Sequence, residues 1–278
     1  MNIFHAVVTS DTVNVFFDKT GIKLNILISY AYQEKNISYL TKKYRDKIGL
    51  LYLDSGAYSV ITGKKKISVR EYATFLSKYG DLFDACFNLD DRFDDIEHNL
   101  SNQEYLENAL SNKSWKPVPV IHDAENPLNE FRMYAGDYNF IALGSMGANK
   151  KIPRKQIEEI VKTYPNVKVH LFGQTNIKLL QQIKPYSADS AGWAHQAGKG
   201  GSIYYWRPSE NKRYTYPYGG LVGDNKKHIK NSPFWDEIAE FLKSFGYKEK
   251  DLQDYRARQI INNYSMVKFE EYVNSLDK

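Results

Sequence analysis

A single cysteine, Cys86, stands in a chain of 278 residues. That scarcity excludes an internal disulfide and any zinc site built from several cysteines. No apolar run approaches the ~20 residues that a membrane-spanning helix needs. Met1-Asn-Ile-Phe-His-Ala lacks the charged leader and apolar core of a secretory signal. A soluble, cytoplasmic protein with no membrane association is therefore expected. No Gly-x-Gly-x-x-Gly follows the first apolar run, which argues against dinucleotide binding. Internal repeats, low-complexity tracts and linkers are also lacking, and the net charge is only +5, with a pI near 8.9. Such a mildly basic balance permits a phosphate-bearing partner without requiring one, since a solvated lysine-rich face gives the same numbers.

What is present is a regular alternation. Short apolar runs at Phe4–Ser10, Asn25–Tyr30, Leu50–Asp54, Phe83–Asp90, Pro117–His122, Phe140–Leu143 and Val167–Leu171 read as buried strands. An eighth strand at residues 186–193 delivers Asp189 and Trp193. Between them lie helical patterns: a lysine-rich segment over Ile37–Lys47, Ser68–Tyr79 with Ser68 as N-cap, and a stretch to Leu110 opened by a Ser101/Glu104 capping box. Others start at Asn126, near Pro153, and over Ile177–Ile183 with Pro185 closing it. Eight strand–helix units over about 190 residues predict an α/β fold with a parallel sheet closed into a (β/α)8 TIM barrel. The barrel is assigned to residues 1–198. Residues 199–278 form a C-terminal extension: an aromatic-basic segment followed by two helices, Ser232–Phe245 and Asp251–Leu276, packed on the barrel as an appendage.

In such barrels the chemistry sits at the C-terminal ends of the strands. The polar residues there are Thr9, Ser10, Tyr30, Asp54, Ser55, Asn88, Asp90, His122, Gly144, Ser145, Gly173, Gln174 and Asp189. Two Asp-Ser pairs, Asp54-Ser55 and Asp189-Ser190, end apolar runs of non-neighbouring strands, so their carboxylates can face each other across one mouth. Paired carboxylates divide labour: one stays ionised as a nucleophile while the other exchanges a proton, and at an anomeric carbon this gives a covalent glycosyl intermediate. Gly144 and Gly147 would let a planar ligand approach the backbone. Asp90 can accept from the adjacent N–H donors of a purine-like edge. His122, His170 and His195 are further candidates, although a lone histidine on a strand is more often a satisfied core residue. The interleaved stretch Tyr204, Tyr205, Trp206, Arg207, Lys212 and Arg213 suits a nucleic-acid surface, cations for phosphates and rings for bases, or equally a β-hairpin closing the barrel. Lys64-Lys65-Lys66 is a lesser candidate for backbone contacts. Two carboxylates in a barrel also suit a retaining glycoside hydrolase, and a basic barrel could serve as a non-catalytic nucleic-acid-binding subunit.

Asp54-Ser-Gly-Ala-Tyr resembles the Asp-Ser-Gly-Gly-Phe motif of tRNA-guanine transglycosylases, barrel enzymes that exchange guanine for a 7-deazaguanine. Ala142-Leu-Gly-Ser-Met-Gly is similar to that family's Leu-Gly-Gly segment, and Phe172-Gly-Gln-Thr followed by Asp189 to its Gly-Thr and nucleophilic Asp. Order and rough spacing hold from about residue 4 to 196. The phrase Leu-Asp-Ser-Gly-Ala-aromatic-Ser is closer still to the compact phage and bacterial DpdA-type DNA 7-deazaguanine transglycosylases. The resemblance implies Asp189 as nucleophile on C1′ and Asp54 as the proton-handling carboxylate. Asp90, His122, Gly144 and Ser145 would hold the base, with Ser55 and Gly173 beside them. No metal or redox cofactor is expected, since a carboxylate suffices to hold the sugar. The partners would be DNA, or alternatively tRNA, and a 7-deazaguanine base such as preQ0 or preQ1. A homodimer is compatible with it, as is the host cytoplasm if the chain is phage-encoded. The family's zinc site of three Cys and one His is missing here, and Ser190-Ala-Gly-Trp193 replaces its Pro-Thr-Arg. Both departures favour DNA over tRNA.

Overall fold

The computed structural model describes residues 1–32, 37–144, 151–218 and 228–276. Eight parallel strands form the centre: β1 (Asn2–Ala6), β2 (Leu24–Ser29), β3 (Ile48–Asp54), β4 (Ala85–Cys86), β5 (Val120–Ile121), β6 (Phe140–Leu143), β7 (Lys168–Leu171) and β8 (Ser187–Ser190). They run in the order β4-β3-β2-β1-β8-β7-β6-β5. A parallel bridge, Phe87 to Val118, joins the two ends of that order. There Asn88 N–H donates to Val118 O at 2.9 Å and Val118 N–H to Cys86 O at 2.8 Å. The ring is thereby closed as a (β/α)8 barrel.

Strand alternation decides what each face holds. Phe4, Ala6, Leu27, Tyr52, Phe87, Val118, Val120 and Ala142 point inward and fill the barrel. Ile3, Ile26, Ile28, Leu51, Leu53, Ile121, Ile141, Val169 and Leu171 point outward against the helices. Each such side chain contributes roughly 1.5–3 kcal/mol by leaving water, so slipping a strand by one residue would forfeit both layers. The same parity carries Asp54 inward with Tyr52, and Asp189 inward with Ser187.

The helices around the ring are α1 (Ser10–Thr20), α2 (Ala57–Ile61), α3 (Val69–Tyr79), α4 (Ile96–Ala109), α5 (Pro127–Ala135), α6 (Arg154–Thr163), α7 (Ile177–Ile183) and α8 (Gly192–Ala197). Ser68 caps α3 in a capping box with Glu71, as its sequence predicts. The start of α4 differs from expectation: Asp95, not Ser101, is the cap, accepting from His98 N–H at 3.0 Å. Ser101 lies a turn and a half inside, because Asp95 comes first along the chain and already satisfies the free N–H groups of the first turn. Ile37–Lys47 is helical as expected: α-helical backbone at Ile37 and Ser38 runs into a π-helical turn at Tyr39–Lys43, and a 3₁₀ turn follows at Arg45–Lys47. Trp193 lies not on the eighth strand but in α8, fully buried beneath the C-terminal region.

That region holds a hairpin, β9 (Ser202–Arg207) and β10 (Lys212–Pro217), then α9 (Trp235–Ser244) and α10 (Tyr255–Ser275). Buried amides tie α10 in place. Asn262 Oδ1 accepts from Tyr204 N–H at 2.6 Å while its Nδ2 donates to Trp193 O at 3.0 Å, and Asn263 Oδ1 meets His5 Nδ1 on β1 at 2.6 Å. Among the described residues no helix is long and apolar enough to cross a membrane.

Candidate active site at the barrel mouth

At the C-terminal ends of the strands opens a cavity of about 780 Å³, to which every part of the ring contributes. β1 supplies Ala6 and the following Val7, β2 Ser29, and β3 Asp54. The segment after β4 gives Asp90 and Phe93, β5 is followed by His122, and β6 by Gly144. The stretch after β7 supplies Phe172 and Gly173, and β8 Asp189. The sequence-predicted carboxylates are therefore together.

Asp54 stands where β3 ends and is held among protein groups on every side but the mouth. Burial pushes its carboxyl up to about 7, the charges of Asp90 and then Asp189 push in the same direction, and the Ser29 hydroxyl and Gly56 N–H partly oppose them. Like charges sharing one cavity cannot all ionise freely, so a proton is retained near neutral pH. Asp189 is locked differently. Gly173 N–H donates to its Oδ1 at 2.8 Å, and Gly173 adopts φ 62°, a left-handed conformation that a glycine reaches without strain. Below it, His170 is wholly buried among Phe4, Tyr52, Phe87 and Phe172. Its Nδ1 meets Ser187 Oγ at 2.8 Å, and its Nε2 lies 3.4 Å from Asp189 Oδ1.

Asp90 is hydrogen-bonded to His122 Nε2 and accepts from Ser55 Oγ at 3.4 Å. The His122 backbone N–H donates to buried Glu130 on α5, at 2.9 Å. Phe93 stacks on the imidazole, with centroids 3.9 Å apart. Gly144 has to be glycine, since a Cβ there would fall on the His122 ring. Ser55 sits behind the wall, fully buried, and reaches the site only through Asp90. Ser145 lies outside the described residues, as does Gly147. Thr9 caps α1 and Asn88 donates to Asn99 O at 3.1 Å, so both have structural partners. His195 lies on α8 rather than at a strand end.

The predicted nucleic-acid residues of the hairpin face the wrong way for that task. Tyr204, Tyr205 and Trp206 are buried. Tyr205 packs on Phe241 of α9 and Trp206 on Phe269 and Tyr272 of α10. Arg207 is paired with Glu237 and Glu210, and the Arg213 guanidinium lies 4.3 Å from the centroid of the Tyr204 ring. Lys212 alone of the six is exposed, beside Tyr214. The β9 strand of this hairpin is covered on both faces, which the alternation of rings and bases does not reveal.

Sequence reading missed Val7, Tyr32, Phe93 and Lys151 in the cavity lining. Val7 carries φ 61° and is 54% exposed. A β-branched residue there is strained, and nothing in its neighbours signals it. Tyr58 was visible as the aromatic residue of Asp54-Ser-Gly-Ala-Tyr, but without a role.

No protein-family model matches the chain, and no curated protein matches it. A solved structure described as "Native KDPGal structure" is similar at a TM-score of 0.43 and 14% identity, over 71% of this chain and 86% of that one. The chemistry of the mouth accordingly rests on its own geometry.

Proposed function

We propose that the protein is a base-exchange transglycosylase that replaces guanine in DNA with a 7-deazaguanine without cutting the backbone. The observation that carries this reading is the meeting of Asp54, Asp90 and Asp189 in one largely apolar cavity, with Asp54 poised to hold a proton near neutral pH. The resemblance of the strand-end motifs supports the assignment of roles.

The target nucleotide is flipped out, since C1′ and the base edge are shielded in a duplex. The Asp189 carboxylate, oriented by Gly173 N–H, attacks C1′. The C1′–O bond to its carboxylate forms as the C1′–N9 bond to guanine breaks, and Asp54 gives its proton to the departing N9. A 7-deazaguanine then enters, passes its own N9 proton to Asp54, and displaces Asp189 from C1′. Atoms and protons balance over the cycle, and the carboxylates return to their starting states. Asp90, steadied by His122 and Ser55, accepts from the N–H donors of the base edge, while Phe93 and Phe172 offer apolar faces.

Labelled-guanine release tests the proposal. Double-stranded DNA and tRNA carrying labelled guanine are each incubated with the protein and preQ0 or preQ1. Release from DNA, abolished by Asp189→Ala, is the expected result. Release from tRNA alone would move the substrate to RNA, and release from neither would sink the reading.

A further inference from the structure

The rim of the mouth beside β3 carries a surface that the hairpin was expected to supply. Tyr32 and Tyr58 both line the cavity and both are 56% exposed. Lys64 Nζ lies 5.9 Å from the Tyr58 ring centroid and Lys65 Nζ 5.7 Å from that of Tyr32. The loop bearing these lysines is folded back on α2: Gly63 N–H donates to Val60 O at 2.9 Å, and Lys64 and Lys65 N–H both donate to Ser59 O, at 2.9 and 3.1 Å. Gly63 makes the turn at φ 70°. The cations are thus placed by backbone geometry, not by an acidic partner. Among the described residues neither Lys64 nor Lys65 has a carboxylate within ion-pair reach, whereas Arg207 of the hairpin has two.

We infer that Tyr32, Tyr58, Lys64 and Lys65 form the track that holds a single nucleic-acid strand on either side of a base inserted into the mouth. The inference rests on the base-exchange reading and names where its polymer lies. Charge complementarity favours this occupant. The cavity floor carries a cluster of carboxylates, which disfavours phosphates, while the rim carries cations that have no carboxylate partner among the described residues and attract them. A strand is therefore held at the edge and only a neutral base descends. The exposed rings offer faces on which neighbouring bases stack, a contact that tolerates any sequence.

The test is fluorescence anisotropy with the full chain and a labelled single-stranded DNA of about 12 nucleotides. RNA of the same sequence and heparin, a polyanion without bases, form the other arms. Lys64→Ala combined with Lys65→Ala should weaken DNA binding about 10-fold and flatten the slope of log affinity against log salt by about 1.4, two phosphate contacts at ~0.7 each for a single strand. Tyr58→Ala should weaken it several-fold with the salt slope unchanged. Lys212→Ala on the hairpin should do neither. An unchanged affinity and slope in the double lysine variant would overturn the track, as would heparin binding as tightly as DNA with Tyr58→Ala neutral. If exchange proceeds on DNA while the lysine variant keeps its KM and salt slope, the track fails and the base-exchange reading stands. If the track binds DNA but no guanine is exchanged, the reverse holds.

Discussion

Two cavities of nearly equal size occupy the two ends of the barrel, about 780 Å³ at the C-terminal ends of the strands and about 720 Å³ at the N-terminal ends. At the N-terminal end the lining mixes both signs, Asp84 and Asp137 with Lys116 and Lys168. Asp84 accepts from Arg45 at 2.9 Å and from Leu51 N–H at 2.7 Å, and Lys116 pairs with Glu107 at 3.1 Å. At the C-terminal end carboxylates meet carboxylates, and no lysine or arginine among the described residues forms an ion pair with Asp54, Asp90 or Asp189. Volume does not tell the ends apart; the cluster of three carboxylates, two of them beside buried histidines, does. A cluster of carboxylates at the mouth of a cavity is the arrangement expected of a ligand-binding site rather than of a fold optimised for stability alone.

The sharpest way to break this comparison is to neutralise one carboxylate at each end. Asp189→Ala should lower base exchange by on the order of 10⁴-fold or more. Asp84→Asn should leave the rate within about twofold, because that end of the barrel serves stability. Equal losses in a single-turnover assay would dissolve the distinction.

Asp54→Asn should follow, with a loss of roughly 10²–10⁴-fold and a pH–rate profile that no longer bends near 7. Its stability effect has a definite sign. The folded-state value of about 7 exceeds the ordinary 3.8, so the native state binds this proton more tightly than the unfolded chain does. The destabilisation from ionising Asp54 is absent below about pH 4, grows as pH rises to about 7, and is complete above that. Relative to the wild type, Asp54→Asn should gain roughly 1–3 kcal/mol at pH 8, allowing for the partial solvent contact of the carboxyl, and nothing at pH 4. Thermal denaturation at the two pH values checks this, and an equal difference at both would remove the raised proton affinity from the argument.

Smallest in effect is a pair of glycine substitutions. Gly144→Ala drives a methyl group into the His122 ring, parting it from Asp90, for a loss of about 1–3 kcal/mol and a raised KM for the incoming base. Gly136→Ala, in the N-terminal cavity, meets no atom within 4 Å and has an ordinary helical backbone. It should fall within about 0.5 kcal/mol of wild type in urea unfolding.

The barrel was legible because its local rules agree with one another. Apolar runs alternate with capped helical stretches, and Ser68, Asn126 and Pro153 each stand at a helix start. Asp54 and Asp189 were legible for the same reason: each ends an apolar run, and strand parity then turns both inward. What stayed hidden depends on contacts between distant segments. The inward lock of Asp189 comes from Gly173, and the burial of Tyr204 to Trp206 comes from helices that follow some 30 to 70 residues later. Ser101 misled because a capping box is a local pattern that an earlier cap can pre-empt. Trp193 misled because a buried aromatic side chain fits a short helix as well as a strand.

The closure of the barrel has a consequence for how it breathes. The β4–β5 junction is a thin one, two backbone hydrogen bonds around Phe87 and Val118, where other neighbouring strands share longer ladders. Asp90 follows one side of that junction and His122 the other, and their hydrogen bond spans it at the mouth like a clasp. A ligand that takes Asp90 for itself draws on the same carboxylate that fastens the ring. Occupancy of the mouth and the ease with which this seam parts are therefore linked quantities, and protection of the Asn88 and Val118 amides against solvent exchange is where that linkage registers.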